Sequence, residues 1–137
     1  MVTYDTKIGI VVRNDLATWQ KMNVACFLCG GLAGAFREIV GEPYVDASAR
    51  TYLPLVRQPV LIFGADRDQL FRAMERAQER EVAVAIYTED LFNTYNDIDN
   101  RDAVGSVPTT ELNLVGLGLH ADRRVADKIL KGLKLLS

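Results

Sequence analysis

Residues 10–36 read IVVRNDLATWQKMNVACFLCGGLAGAF. The stretch opens as a β-branched run, breaks at Arg13-Asn14-Asp15 and continues as a long apolar segment with glycines inside it. Extended back to Lys7, KIGIVV reads as a buried strand closed by a polar turn. From Trp19 to Ile39, the spacing of Val24, Phe27, Leu28, Leu32, Ala35, Phe36 and Ile39 predicts a helix. The other side is not polar either: Cys26, Gly30 and Gly34 stand four apart, with Ala25, Cys29 and Ala33 beside them. A helix apolar all round is expected to be buried on most sides. Each internal glycine costs about 1 kcal/mol of helix propensity. Close backbone packing is the expected compensation.

Working outward, GEPYVDASARTYLPL (residues 41–55) holds two prolines and several turn formers. It is expected to be a long, irregular connection that packs through its tyrosines and Leu53-Pro54-Leu55. PVLIFGA (residues 59–65) is a second strand, apolar throughout and expected to be covered on both faces. Asp66 with Gln69 three later predicts a capping box. The helix behind it carries the stripe Leu70, Phe71, Met74 and Ala77. VAVAIY (residues 82–87) is a third strand, and residues 88–108 form an acidic, Asn-rich segment with room for a helical turn or two. LNLVGLGL (residues 112–119) is a fourth strand, with Gly116 and Gly118 marking a bulge or a close approach. A last helix is expected from about Asp122 to Leu135. The order β-α-β-α-β-β-α predicts a single α/β domain over residues 1–137. Its four-stranded mixed sheet carries helices on both faces.

Lys plus Arg number 16 against 18 for Asp plus Glu, a net charge of −2. A strongly basic surface is therefore absent, which argues against nucleic acid as the main partner. No apolar run has the length of a membrane span. MVTYDTK shows no basic-then-apolar leader, so a cytoplasmic location is expected. Two cysteines make no disulfide framework.

VVRNDL followed by a helix of small residues, with the ending LVGLGLHADRRVADKILKGLKL, resembles the type II peptidyl-tRNA hydrolases. DLATWQKMNVACFLCGGLAGAF, GEPYVDAS, YLPLVRQPV and IYTEDLF are similar to an uncharacterised bacterial family catalogued as domain of unknown function 2000. That second likeness runs along essentially the whole chain. It implies a hydrolase-like α/β fold and no established activity. The hydrolase motif falls with Asn23 at its lysine, Phe27 at its glutamine and Gly30 at its histidine. Lys21 lies two residues early, and Glu89 or Asp90 matches the family's acidic residue. The family's threonine has no firm counterpart. Ester hydrolysis needs a base to position water and a donor for the developing oxyanion. Phe27 supplies neither, so the resemblance implies the fold without that catalytic set.

Ligands of open α/β sheets bind beyond the carboxyl ends of the strands. Arg13 and Asp15 follow the first strand, Glu89 and Asp90 follow the third, and Trp19, Gln20, Lys21 and Asn23 open the first helix. If the first and third strands are parallel neighbours, these residues line one crevice. The structural reading has Asp15 and Thr18 satisfying helix-start amides and Arg13 pairing with an acid. Cys26 and Cys29 have CxxC spacing but fall well inside a helix, and read as core rather than as a redox pair. Asp97, Asp99 and Asp102 do not meet the calcium-loop pattern, which needs a glycine and a glutamate where Asp102 and Pro108 stand. His120 is expected to open the last helix, and the basic residues of that helix read as a solvated face. No metal or cofactor is expected. Three functions follow: a small-molecule binding protein, an ester or amide hydrolase, or a self-assembling interaction protein. The apolar first helix predicts a homo-oligomer.

Overall fold

The computed structural model describes residues 2–137. Strand β1 (Thr6–Arg13) buries Ile8, Ile10, Val11 and Val12 and lies at the centre of the main sheet. Its partners are β4 (Val60–Ala65), parallel, and β6 (Leu114–Asp122), antiparallel. Beyond β6 lies β5 (Ala85–Thr88), and beyond β4 lies β7 (Lys134–Leu135), both antiparallel to their neighbours. The main sheet is therefore five-stranded, β5-β6-β1-β4-β7, one strand more than the pattern predicted. The added strand is the two-residue β7. It forms because the last helix, α4 (Arg123–Ile129), stops early, and Gly132 takes φ +86° to turn the chain back toward β4. Positive φ is available to glycine without the Cβ clash that other residues meet.

Successive strand residues face opposite sides, and the core divides accordingly. Ile8, Ile10 and Val12 pack with Val24, Leu28 and Leu32 of α1 (Thr18–Ala35). On the other face, Val11, Leu117 and Leu119 pack with Leu70, Ala73, Met74 and Ala77 of α2 (Arg67–Glu79) and with Ala126 and Ile129 of α4. Helices thus cover both faces, as expected. The Asp66 capping box is formed: its carboxylate accepts from Gln69 N at 2.8 Å, while Gln69 Oε1 accepts from Asp66 N at 3.0 Å.

Gly116 and Gly118 serve both expected purposes. The β5–β6 register shifts at Tyr87 and Thr88. A Cβ at Gly116 would collide with Val24 Cγ1, and one at Gly118 would lie 3.3 Å from Leu28 Cβ. Helix α1 sits directly on this bare backbone.

Several expectations fail for physical reasons. Helix α1 ends at Ala35, and a 3₁₀ turn, Arg37–Ile39, carries the chain to the buried Ile39. Only one side of α1 is covered. Phe27, Cys26, Gly30, Gly34 and Ala35 are exposed, so Phe27, Ala35 and Cys26 are not core. A Cβ built on Gly30 or Gly34 meets nothing within 4 Å, so packing within the chain does not account for them. Residues 41–55 do not pack down either. They form a projecting hairpin of β2 (Tyr44–Val45) and β3 (Thr51–Tyr52), in which Leu53 is 85% exposed. The Asp46 carboxylate ties its tip, accepting from Ser48 N, Arg50 N and Tyr52 Oη. Strand β4 touches the core on both faces, through Val60 and Ile62 on one and Phe63 and Ala65 on the other, but only Ala65 is fully buried. The acidic segment folds as a 3₁₀ turn, Glu89–Asn93, and α3 (Asp97–Gly105), whose start is capped by Asn96. His120 lies within β6, against the Phe36 ring with its Nε2 2.9 Å from Thr6 Oγ1, so it does not open α4.

Gly116→Ala should destabilise the protein by about 1–3 kcal/mol in urea unfolding, because the new methyl must push α1 off the sheet. An unchanged midpoint would show that α1 can move away at no cost.

Candidate functional site

Strands β1 and β5 run parallel to each other but are not neighbours, since β6 separates them. Asn113, just before β6, closes the gap. Arg13 Nη1 donates to Asn113 Oδ1 at 3.1 Å, Asn113 Nδ2 donates to the Glu89 carboxylate, and Glu89 N donates to Asn113 O at 2.9 Å. On its other side the Arg13 guanidinium grips Asp15 with two bonds, of 2.9 Å and 2.7 Å. That hydrogen-bonded pairing holds the Asp15 carboxyl below its usual range and raises Arg13. Arg13, Asp15 and Glu89 are thus one structural chain of contacts, as the structural reading had it. Asp15 does not cap the helix. The residue before α1 is Ala17, and its N–H is met by Gln20 Oε1 at 2.9 Å. Gln20 is therefore a helix-start residue, and Thr18 is the first residue of the helix rather than its cap.

The remaining candidates separate. Trp19 and Asn23 sit one turn apart and face a groove between α1, the 3₁₀ turn and α3. Lys21, two residues from each, points to the opposite side of the helix start and lines a different recess. Asp90 is exposed in the 3₁₀ turn. The single crevice expected from sequence is therefore two sites with a salt-bridged turn beside them, and Arg13, Lys21, Glu89 and Asp90 do not converge on one reacting centre.

The groove has two adjoining lobes. One is a cavity of about 550 Å³ reaching from Phe27 and Gly31 to Val104 on α3. The other, about 330 Å³, runs from Trp19 and Asn23 to Tyr95 and Asn96. Phe27, Tyr87, Leu91, Asp97 and Asn100 border both. Four rings form its aromatic side. Trp19 meets Phe92 edge-on with centroids 5.9 Å apart, Tyr87 lies 5.1 Å from Phe92, and Phe27 meets Tyr87 edge-on at 5.8 Å. Trp19 and Phe27 remain 62% and 58% exposed, so much of their surface is open to a ligand. Polar groups lie between the rings. Asn23 Nδ2 reaches Tyr87 Oη at 3.4 Å, Thr94 Oγ1 bonds Leu91 O at 3.0 Å, and Thr94 also contacts Asn100 Oδ1. The charges at the rim, Asp97 and Arg101, pair with each other. Burial raises the Tyr87 hydroxyl, which stays protonated and neutral at physiological pH.

Sequence reading placed Trp19 and Asn23 here but missed Tyr87, Phe92, Thr94, Tyr95 and Asn100, and assigned Phe27 to the core. The available signal was Leu91-Phe92-Asn93-Thr94-Tyr95, an aromatic and amide cluster inside the acidic segment. Cys26 is exposed and Cys29 half-buried. Burial raises the Cys29 thiol, which keeps it protonated and a weak nucleophile. Among the described residues no three His, Cys, Asp or Glu side chains converge as a metal site, and no helix is long and apolar enough to cross a membrane.

These features define an α/β protein with a mixed sheet and ligand-sized recesses around the start of its first helix. Residues 6–137 match the family described as Protein of unknown function (DUF2000), and the chain belongs to that family. It is similar to Atu0240 from Agrobacterium tumefaciens strain C58, a solved protein of unknown function. The two share 39% sequence identity with a TM-score of 0.95, over 98% of this chain and 100% of that one. No curated protein matches.

The depressed Asp15 carboxyl carries a sign for stability. A carboxyl lower in the folded than in the unfolded chain stabilises the fold above its unfolded value, and that stabilisation is lost as pH falls through the folded one. Asp15→Asn should therefore reduce stability at pH 7, and the difference from the wild type should shrink as pH falls through the acid range in which the folded carboxyl protonates. Urea unfolding of both proteins across that range checks it.

Proposed function

We propose that the protein is a binding protein for a small, uncharged molecule with a flat unsaturated ring, held in the groove between α1 and α3. The carrying observation is the run of rings Trp19, Phe92, Tyr87 and Phe27 along the smaller lobe of the groove. Rings prefer offset or edge-on partners, which such a wall offers to an inserted ring. Asn23, Thr94 and Asn100 supply the few directional groups that fix a ligand's orientation in a mostly apolar site. The pairing of Asp97 with Arg101 leaves no free charge there to select an ion. The accompanying fold reading is the type II peptidyl-tRNA hydrolase architecture in a cytoplasmic protein. In its favour are the opening strand, polar turn and helix, and the closing antiparallel strand and helix. The dispersal of Arg13, Lys21, Glu89 and Asp90 favours binding over ester or amide hydrolysis.

Trp19 is the only tryptophan, so its emission reports on the groove. Titration with a panel of purines, pyrimidines, indoles and aromatic amides should change that emission for at least one compound. The same compound should stabilise the protein by about 2.7 kcal/mol at a hundredfold excess over Kd. Asn100→Ala should weaken its binding about tenfold, one directional hydrogen bond being removed. A panel silent in both emission and thermal stability counts against this reading.

A second reading, self-association, is favoured by the uncovered side of α1. From Met22 to Ala35 the helix carries no charged residue, and Gly30 and Gly34 leave room that nothing in the chain fills. A two-fold contact pairs a surface with itself, and an uncharged small-residue face meets its copy without like-charge repulsion. Light scattering at tens of micromolar should then give twice the chain mass, and Gly30→Leu should restore a monomer. A monomeric wild type would rule this out.

A further inference from the structure

The two adjacent parallel strands of the sheet, β1 and β4, send their following helices to opposite faces. Helix α1 covers Ile8, Ile10 and Val12, whereas α2 covers Val11. Where the connections of adjacent parallel strands diverge in this way, a crevice opens outside their carboxyl ends, and such crevices are where open α/β sheets bind ligands. In this protein it holds a recess of about 620 Å³, bordered by Asn14, Lys21, Gln69 and Lys134, with Leu135, Leu136 and the chain-end residue Ser137 on the β7 side.

The charged side chains of the lining are both cationic, facing one α-carboxylate at Ser137. Lys21 and Lys134 have no salt-bridge partner among the described residues, and no Asp or Glu side chain borders the recess. The acids that adjoin the lining in sequence are engaged elsewhere: Asp15 is gripped by Arg13, and Asp66 caps its own helix. The Asp66 capping bond uses Gln69 Oε1, leaving Nε2 as a donor. The Asn14 side chain makes no hydrogen bond among the described residues, and its backbone N–H is fixed on Ala65 O at 2.9 Å. Gly64 makes the arrangement possible, since a Cβ there would collide with Asn14 Oδ1. Opposite Gly64, Lys134 is held in the β4–β7 register by the turn at Gly132. Two ammonium groups and two amide donors therefore surround one recess.

We infer that this crevice is a second ligand site, selective for a small molecule bearing an oxyanion group, either a phosphate or a carboxylate. Lysine is suited to this as a point-charge donor. The site is independent of the aromatic groove, because Lys21 and the pair Trp19 and Asn23 leave the helix on opposite sides.

The test is a titration of the isotope-labelled full chain with inorganic phosphate, and separately with oxalate, followed by backbone amide NMR at constant ionic strength. Saturable shifts should appear at Asn14, Lys21, Gly64, Gly132 and Lys134, and not at Phe92 or Asn100. The anion that saturates at the lower concentration identifies the group. Lys21→Gln combined with Lys134→Gln, both at the surface and outside the core, should raise the apparent Kd at least about tenfold while leaving the remaining spectrum folded. Sodium chloride giving the same shifts, no saturation with either anion, or full binding by the double variant would each overturn the inference.

Discussion

The structure depends on how closely α1 can approach the sheet. Gly116 and Gly118 present bare backbone where a side chain would otherwise stand, and Val24, Leu28 and Leu32 fill that space. Each of these residues, fully buried, contributes on the order of 1.5–3 kcal/mol, so the helix is fixed in height and rotation. Everything near its start inherits that placement. With Val24 pointing down, Trp19 and Asn23 lean over the β5 edge and Lys21 leans toward β4. A helix displaced outward by one methyl layer would loosen the Phe27–Tyr87 contact and carry Lys21 away from the recess beside Gly64. One packing constraint positions both recesses.

Elements governed by local chemistry were legible in the sequence. The β-branched run of β1, the Asp66 capping box and the paired glycines of β6 each state their role within a few residues. Elements governed by distant partners were not. A two-residue strand such as β7 has no periodicity to detect, and it exists only because Gly132 turns the chain onto Phe63 and Gly64. The hairpin at residues 44–52 depends on the three bonds that Asp46 accepts, and no pattern of apolar residues announces it. Helix α1 misled for a different reason. Apolar on every side, it offered no contrast from which to tell the covered face from the bare one, so Phe27 was assigned to the core while it borders the groove.

Sequence reading reached the neighbourhood of the two recesses more than their lining, since Trp19 and Asn23 border one and Lys21 the other. Six of the eight candidate positions fall in the ion-paired turn or at the start of α1. Helix geometry alone places Trp19 and Asn23 on one side and Lys21 on the other. Joining them in one crevice required β1 and β5 to be adjacent, and the intervening β6 removes that. The same strand supplies the link, since Asn113 at its start bonds both Arg13 and Glu89. Residues that resembled a catalytic set thus brace the carboxyl ends of β1 and β5 against the start of β6.

The division of polar character follows from this bracing. Arg13 pairs with Asp15, and Asn113 ties Arg13 to Glu89, so these charges are engaged with one another's neighbours rather than with the recesses. What remains on the β5 side is aromatic and amide, suited to a neutral ring. What remains on the β4 side is cationic, suited to an anion. A molecule with both features would have to cross the Arg13–Asp15 pair at the helix start to touch Trp19 and Lys21 at once. The pair is held by two hydrogen bonds and anchored on Asn113, so it acts as a fixed ridge. Two separate ligands, or one ligand and a second copy of the chain against α1, fit this surface better than a single bridging substrate.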